Sequence, residues 1–179
     1  LGVVDTALTV GALPDDENTA MLAYLVNGRG VRTAYLSVTR GDGGQNLLGT
    51  EKGELLGLVR TQELLAARRI DGAEQFFTRA IDFGFTKSPE ETFNVWGREP
   101  TLPDVVWVVR RFRRDVIITR FPTTGEGGHG QHTASAILAR GAFDLYERVG
   151  IVRHVRSLRI PDRGGGLGGQ GWVEDISQS

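Results

Sequence analysis

Cysteine is absent from this chain of 179 residues. That removes disulfides, thiolate metal sites and thiol nucleophiles from consideration, and it leaves the redox compartment open. Histidine is nearly as scarce. His129, His132 and His154 are the whole set, so a transition metal would have to be held by these three or by Asp and Glu. No apolar run approaches the roughly 20 residues that span a bilayer. The formal net charge of −1 gives no bulk attraction to nucleic acid or to a membrane surface, and no nucleic-acid partner is expected. Compartment and oligomeric state leave no signal. The chain starts at Leu1 rather than at methionine, as expected of a processed or excised product, and a signal peptide removed upstream leaves no trace.

What is present is ordinary for a globular protein: 40% hydrophobic and 24% charged residues, in a length that fits one domain with a substantial core. Short apolar runs alternate with helical periodicity. "ALTVGA" (Ala7 to Ala12) reads as a buried strand, and "DDENTAMLAYLVNGRG" as a helix ended by Gly28 and Gly30. "VRTAYLSVTR" (Val31 to Arg40) is a second strand, closed by the turn-rich "GDGGQN". A long helix fits "EKGELLGLVRTQELLAARRI", in which Leu55, Leu58, Val59, Gln62, Leu65 and Ala66 trace one face. A strand at "EQFFTRA" and an irregular stretch from Asp82 to about Pro100 follow. A helix at "LPDVVWVVRRFR", a strand at "DVIITR" (Asp115 to Arg120) and a helix at "HTASAILARGAFDLYERV" complete the alternation.

This pattern predicts an α/β fold, a Rossmann-like three-layer sandwich with a mostly parallel sheet covered by helices on both faces. "IVRHVRSLRI" is compatible with an edge strand. The domain is expected to span 1–160, and the Gly-rich 161–179 has the composition of a flexible tail.

In an open parallel sheet, ligands bind beyond the carboxyl ends of the strands, where strand order reverses. Asp15 and Asp16 follow the first strand directly. His129 and His132 follow the "DVIITR" strand, again near a helix start. With a strand order of 3-2-1-4-5, those two strands are neighbours and both pairs converge on one crevice. Each group alone has a plain structural reading. An Asp at a helix start is commonly an N-cap, and a lone His-x-x-His is a weak motif. A single cap uses one carboxylate, however, whereas Asp15, Asp16 and Glu17 stand in a row.

Carboxylate oxygen and neutral imidazole suit zinc, and a catalytic site needs about three protein ligands plus an open water position. Zinc brings the pKa of bound water toward ~7, and a nearby carboxylate can take the remaining proton. Asp15, Asp16, His129 and His132 supply such roles with one ligand missing. "GDGGQN" lacks the Walker lysine and the dinucleotide spacing, so its glycines are better read as allowing close backbone approach at the crevice rim. Arg60 and Glu63 read as a solvated i, i+3 pair on the long helix.

Taken together, "GALPDDE", "TRGDGGQN", "VRTQELLAA", "FGFTKSPEETF" and "GEGGHGQHTASA" resemble the PIG-L/LmbE-type zinc-dependent N-deacetylases, in the right order from about Leu8 to Phe143. The resemblance implies removal of N-acetyl groups from an amino sugar or related small molecule, with zinc or another divalent metal as cofactor. It implies Asp15 as general base, Asp16 and His132 as metal ligands, His129 as the residue steadying the tetrahedral intermediate, and Arg60 as a substrate-binding residue. The family's first motif reads Ala-His-Pro-Asp-Asp-Glu, and this chain has Leu13 in place of the histidine. Leucine has no lone pair. A family member that binds carbohydrate or a partner without turnover is therefore the alternative expectation.

Overall fold

The computed structural model describes residues 4–126 and 128–147. The proposed edge strand at 151–160, the Gly-rich tail, the domain boundary at 160 and His154 lie outside the described residues.

Among the described residues four strands form one sheet: β1 (Thr6–Gly11), β2 (Arg32–Ser37), β3 (Glu74–Phe77) and β4 (Val116–Thr119). Their spatial order is β3-β2-β1-β4, and every pairing is parallel. This is the first part of the order expected from the sequence. β1 and β2 are buried along almost their whole length, as parallel strands covered on both faces must be.

Successive side chains go to opposite faces. Leu8, Val10, Leu36 and Val38 meet Val105, Val108, Val109 and Phe112 of α4 (Arg98–Phe112) and Ala134, Leu138 and Ala142 of α5 (Gly130–Glu147). On the other face Ala7, Val31, Val116 and Ile118 meet Met21 and Leu25. These belong to α1 (Thr19–Ala23), which continues as a π-helical turn over Tyr24–Gly28. Beside them Leu22 and Tyr35 pack with Leu64 of α2 (Glu54–Asp71). The result is a helix–sheet–helix sandwich. Among the described residues no helix is long and apolar enough to cross a membrane.

Two expectations need correction. The stretch from Asp82 to Pro100 contains α3 (Pro89–Trp96). Ser88 caps it by accepting from the Glu91 amide at 3.3 Å, while Glu91 accepts from the Lys87 amide at 2.9 Å. The Ser-Pro-Glu-Glu sequence carried that start signal, with proline at the first helical position.

The second correction concerns α2. Its sheet-facing side carries Leu56, Gly57, Thr61, Leu64, Arg68 and Asp71, whereas Leu55, Leu58 and Val59 are 62%, 59% and 41% exposed. The face traced by the periodic hydrophobics therefore points outward. Beside Leu56 and Leu64, small and ion-paired residues occupy the inner face because α2 lies over the polar turn after β1, where Arg68 reaches Glu17 at 3.5 Å and bonds Asp71 of its own helix at 2.7 Å.

Candidate active site

The register Val10↔Thr119 between β1 and β4 brings the segments after both strands to the same sheet edge. β1 ends at Gly11, where a Cβ would lie 2.6 Å from the Tyr35 hydroxyl and 2.8 Å from the Asp16 Cβ. Only a residue without a side chain lets the turn fold back this closely. The Tyr35 hydroxyl donates to the Leu13 carbonyl at 2.6 Å. Burial, with Asp16 and Glu17 nearby, pushes the Tyr35 pKa well up and keeps that donor protonated.

The three acids of the turn go to three different partners. Asp16 is buried, and its Oδ2 accepts from the Ala12 and Leu13 amides at 2.8 and 2.7 Å. This holds Oδ1 toward His132 Nε2, 3.3 Å away. Asp15 has 68% of its side chain exposed and pairs with Arg60 at 3.3 Å. Glu17 turns inward to Arg68 at 3.5 Å, with both side chains buried. Burial raises the Glu17 pKa while its own backbone and Arg68 oppose the rise. The cap of α1 is Asn18, which accepts from the Met21 amide at 3.0 Å. The plain N-cap reading of Asp15 and Asp16 is thus replaced, and Arg60 is paired with Asp15 rather than with Glu63.

The opposite wall is built from rings. His132 stacks on Phe121 with centroids 3.7 Å apart and planes 6° apart. His129 lies over His132 at 3.7 Å, and Phe85 lies against His129 at 5.5 Å. Burial and the neighbouring His132 push the His129 pKa down, so its imidazole is held neutral near pH 7. His129 Nδ1 is buried without a hydrogen-bond partner.

The start of α5 is locked to the 82–88 loop. Gln131 donates to Asp82 at 2.9 Å and to the Gly84 carbonyl at 2.5 Å, and the Gly130 amide donates to the Thr86 carbonyl at 2.8 Å. The "GDGGQN" loop closes against the same segment: a Cβ on Gly43 would meet the Phe83 and Gly84 backbone within 2.6 Å. Close approach at the rim is thus what these glycines permit.

The structure therefore brings Asp15, Asp16, Arg60, His129 and His132 to one sheet edge. Sequence reasoning missed Tyr35, Arg68, Asp82, Gln131 and the aromatic pair Phe85 and Phe121. Gln131 lies inside the His-x-x-His motif, which was a usable signal. Arg68 and Tyr35 had none, because their roles exist only once α2 and β2 pack beneath the turn.

Residues 8–143 match the family described as PIG-L, GlcNAc-PI de-N-acetylase. The chain belongs to the PIG-L family. No curated protein sequence matches it. Among solved structures it is similar to N,N'-diacetylchitobiose deacetylase from Pyrococcus horikoshii, with 17% identity, TM-score 0.56, and coverage of 79% of this chain and 50% of that one. It is also similar to a deacetylase in teicoplanin biosynthesis, with 14% identity, TM-score 0.59, and coverage of 79% and 66%. A third similar structure is GalB, the 4-carboxy-2-hydroxymuconate hydratase from Pseudomonas putida KT2440, with 21% identity, TM-score 0.59, and coverage of 82% and 58%. These likenesses show a shared fold, and the presence of a hydratase among them shows that the fold serves more than one chemistry. The chain spans between one half and two thirds of these solved chains' length.

The PIG-L family is generally zinc-dependent, so the donor set decides whether this member fits a metal. Two ligands of one tetrahedral zinc, with bonds of about 2.0–2.1 Å, lie roughly 3.3 Å apart. Asp16 Oδ1 and His132 Nε2 have that separation. No third donor joins them among the described residues. Leu13 packs its hydrocarbon against the core cluster, and Asp15 is paired with Arg60. Among the described residues no three His, Asp or Glu side chains converge to hold an ion. These residues do not fit a three-ligand metal centre.

Proposed function

We propose that this PIG-L domain is a hydrolase site for an N-acetylated small molecule of the carbohydrate class. The observation that carries this reading is the convergence of Asp15 with Asp16, His132 and His129 at the carboxyl edge of β1 and β4. Membership of the family and the deacetylases among its structural relatives support it.

Asp15 is the proton acceptor. Its carboxylate is the most exposed acid of the turn, and Arg60 orients it. As water adds to the amide carbonyl carbon, Asp15 takes the water proton; as the carbon–nitrogen bond breaks, that proton passes to the leaving amine, and acetate remains. His129, held neutral, donates a hydrogen bond to the oxyanion that forms between the two steps. The buried Asp16 and His132 fix the floor of the crevice. Arg60 and the ring of Phe85, itself 69% exposed, are the surfaces a sugar ring would meet.

Turnover of N-acetylglucosamine derivatives by the purified chain, compared with Asp15→Asn, tests the assignment. The expected result is loss of at least about 100-fold in kcat with little change in KM; equal rates would remove Asp15 from the mechanism. Leu13 favours a second reading, in which the domain binds an N-acetylated ligand without turnover. Under that reading the wild-type chain binds the sugar and is inactive, and Leu13→His restores activity together with metal.

A further inference from the structure

The outward face of α2 is a regular feature that the crevice does not use. Leu55, Leu58, Val59 and Ile70 are 62%, 59%, 41% and 86% exposed, and Gln62 and Arg69 are exposed beside them. At 100° per residue these side chains fall within an arc of about 120°, and they extend for roughly 22 Å along the helix. From Leu55 to Ala66 the stripe carries no charge. The exposed Glu63 borders one flank near the centre, and on the other flank stand Glu54 at the amino end and Arg69 at the carboxyl end. Both are exposed.

We infer that this face docks a second copy of the same chain, with the two α2 helices antiparallel about a two-fold axis at Gln62. That pairing sets Leu58 against Ala66 and Val59 against Leu65 of the partner copy, so an uncharged centre meets an uncharged centre. Glu54 of each copy falls beside Arg69 of the other, twice by symmetry. A parallel pairing would leave Glu54 and Arg69 of the two copies at opposite ends of the seam and align the two helix dipoles unfavourably. The face is therefore complementary to itself in one orientation. Arg60 and Arg68 point away from the stripe, toward Asp15 and Glu17, so docking leaves the crevice open.

The absence of cysteine makes the test direct. In the full 179-residue chain, Gln62→Cys introduces a single thiol at the axis, and Trp107→Cys introduces one at an exposed site on α4, beyond the opposite face of the sheet. Under mild oxidation Gln62→Cys should form a disulfide-linked dimer of twice the 19.5 kDa chain, while Trp107→Cys stays single. By sedimentation equilibrium the unmodified chain should dimerise, and Leu58→Lys, at a position 59% exposed, should weaken association at least about tenfold. Glu54→Arg should also weaken it, and adding Arg69→Glu should restore it. A single-chain mass for the wild type at about 100 µM, whether the face is bare or taken by further chain or another protein, would overturn the inference. So would equal cross-linking of the two cysteine variants, or failure of the double charge reversal to restore association.

Discussion

The two walls of the crevice are held by different forces. The β1 wall is wired by hydrogen bonds and charge: two amides on Asp16, the Tyr35 hydroxyl on the Leu13 carbonyl, and Arg68 between Glu17 and Asp71. The α5 wall presents stacked rings to the crevice and is anchored from behind by Gln131 and the 82–88 loop. Polar wiring fixes where a carboxylate points, and each lost partner leaves a buried group unsatisfied. Stacking fixes a ring plane through its face rather than through its nitrogens. The wall that presents carboxylates is thus the rigid one, and the wall that presents imidazoles keeps a buried nitrogen, His129 Nδ1, without a partner.

Substitutions that break this contrast should differ in size. Arg68→Ala removes the cation shared by two buried acids and should cost about 3–5 kcal/mol of unfolding free energy, measured by urea denaturation. Next comes Gln131→Ala, which strips Asp82 and the Gly84 carbonyl of a buried donor. Roughly 1–3 kcal/mol is expected there, together with faster amide exchange in the 82–88 loop. Tyr35→Phe loses one hydrogen bond and leaves the ring packed, so about 1 kcal/mol should go. Phe85→Ala is the mildest for stability, within about 0.5 kcal/mol because the ring is exposed; its effect should appear as a raised KM. If Phe85→Ala destabilised the protein more than Tyr35→Phe, the division between a wired wall and a stacked wall would be wrong.

The fold and the convergence of the site were legible in the sequence for a shared reason. Short apolar runs alternating with helices imply a parallel sheet, and acids and histidines placed after its strands then fall on one edge. Asp15, Asp16, His129 and His132 could be placed together without any coordinates. The inward side of α2 was not legible. Periodicity marks an apolar face and says nothing of what lies beneath the helix, and here an ion-paired Arg68 lies beneath while Leu55 and Leu58 look outward. Partners that meet only through packing, such as Tyr35 with the Leu13 carbonyl, leave no local pattern. α3 carries a start signal in Ser88, Pro89 and Glu91, which the glycine and phenylalanines just before it obscure.

The central claim is that the two walls together bring two metal donors, Asp16 and His132, to the right separation, and that no third joins them among the described residues because position 13 is a leucine packed against the core. Zinc affinity, measured by competition with a chromophoric chelator for the wild-type chain and for Leu13→His, tests it most directly. Loss of a directly bound ligand should exceed the 10–100-fold effect of losing an outer-shell partner. The account predicts that Leu13→His binds one equivalent of zinc more than about 100-fold tighter than wild type. Stoichiometric zinc in the wild-type chain, at an affinity that Leu13→His does not improve, would contradict it.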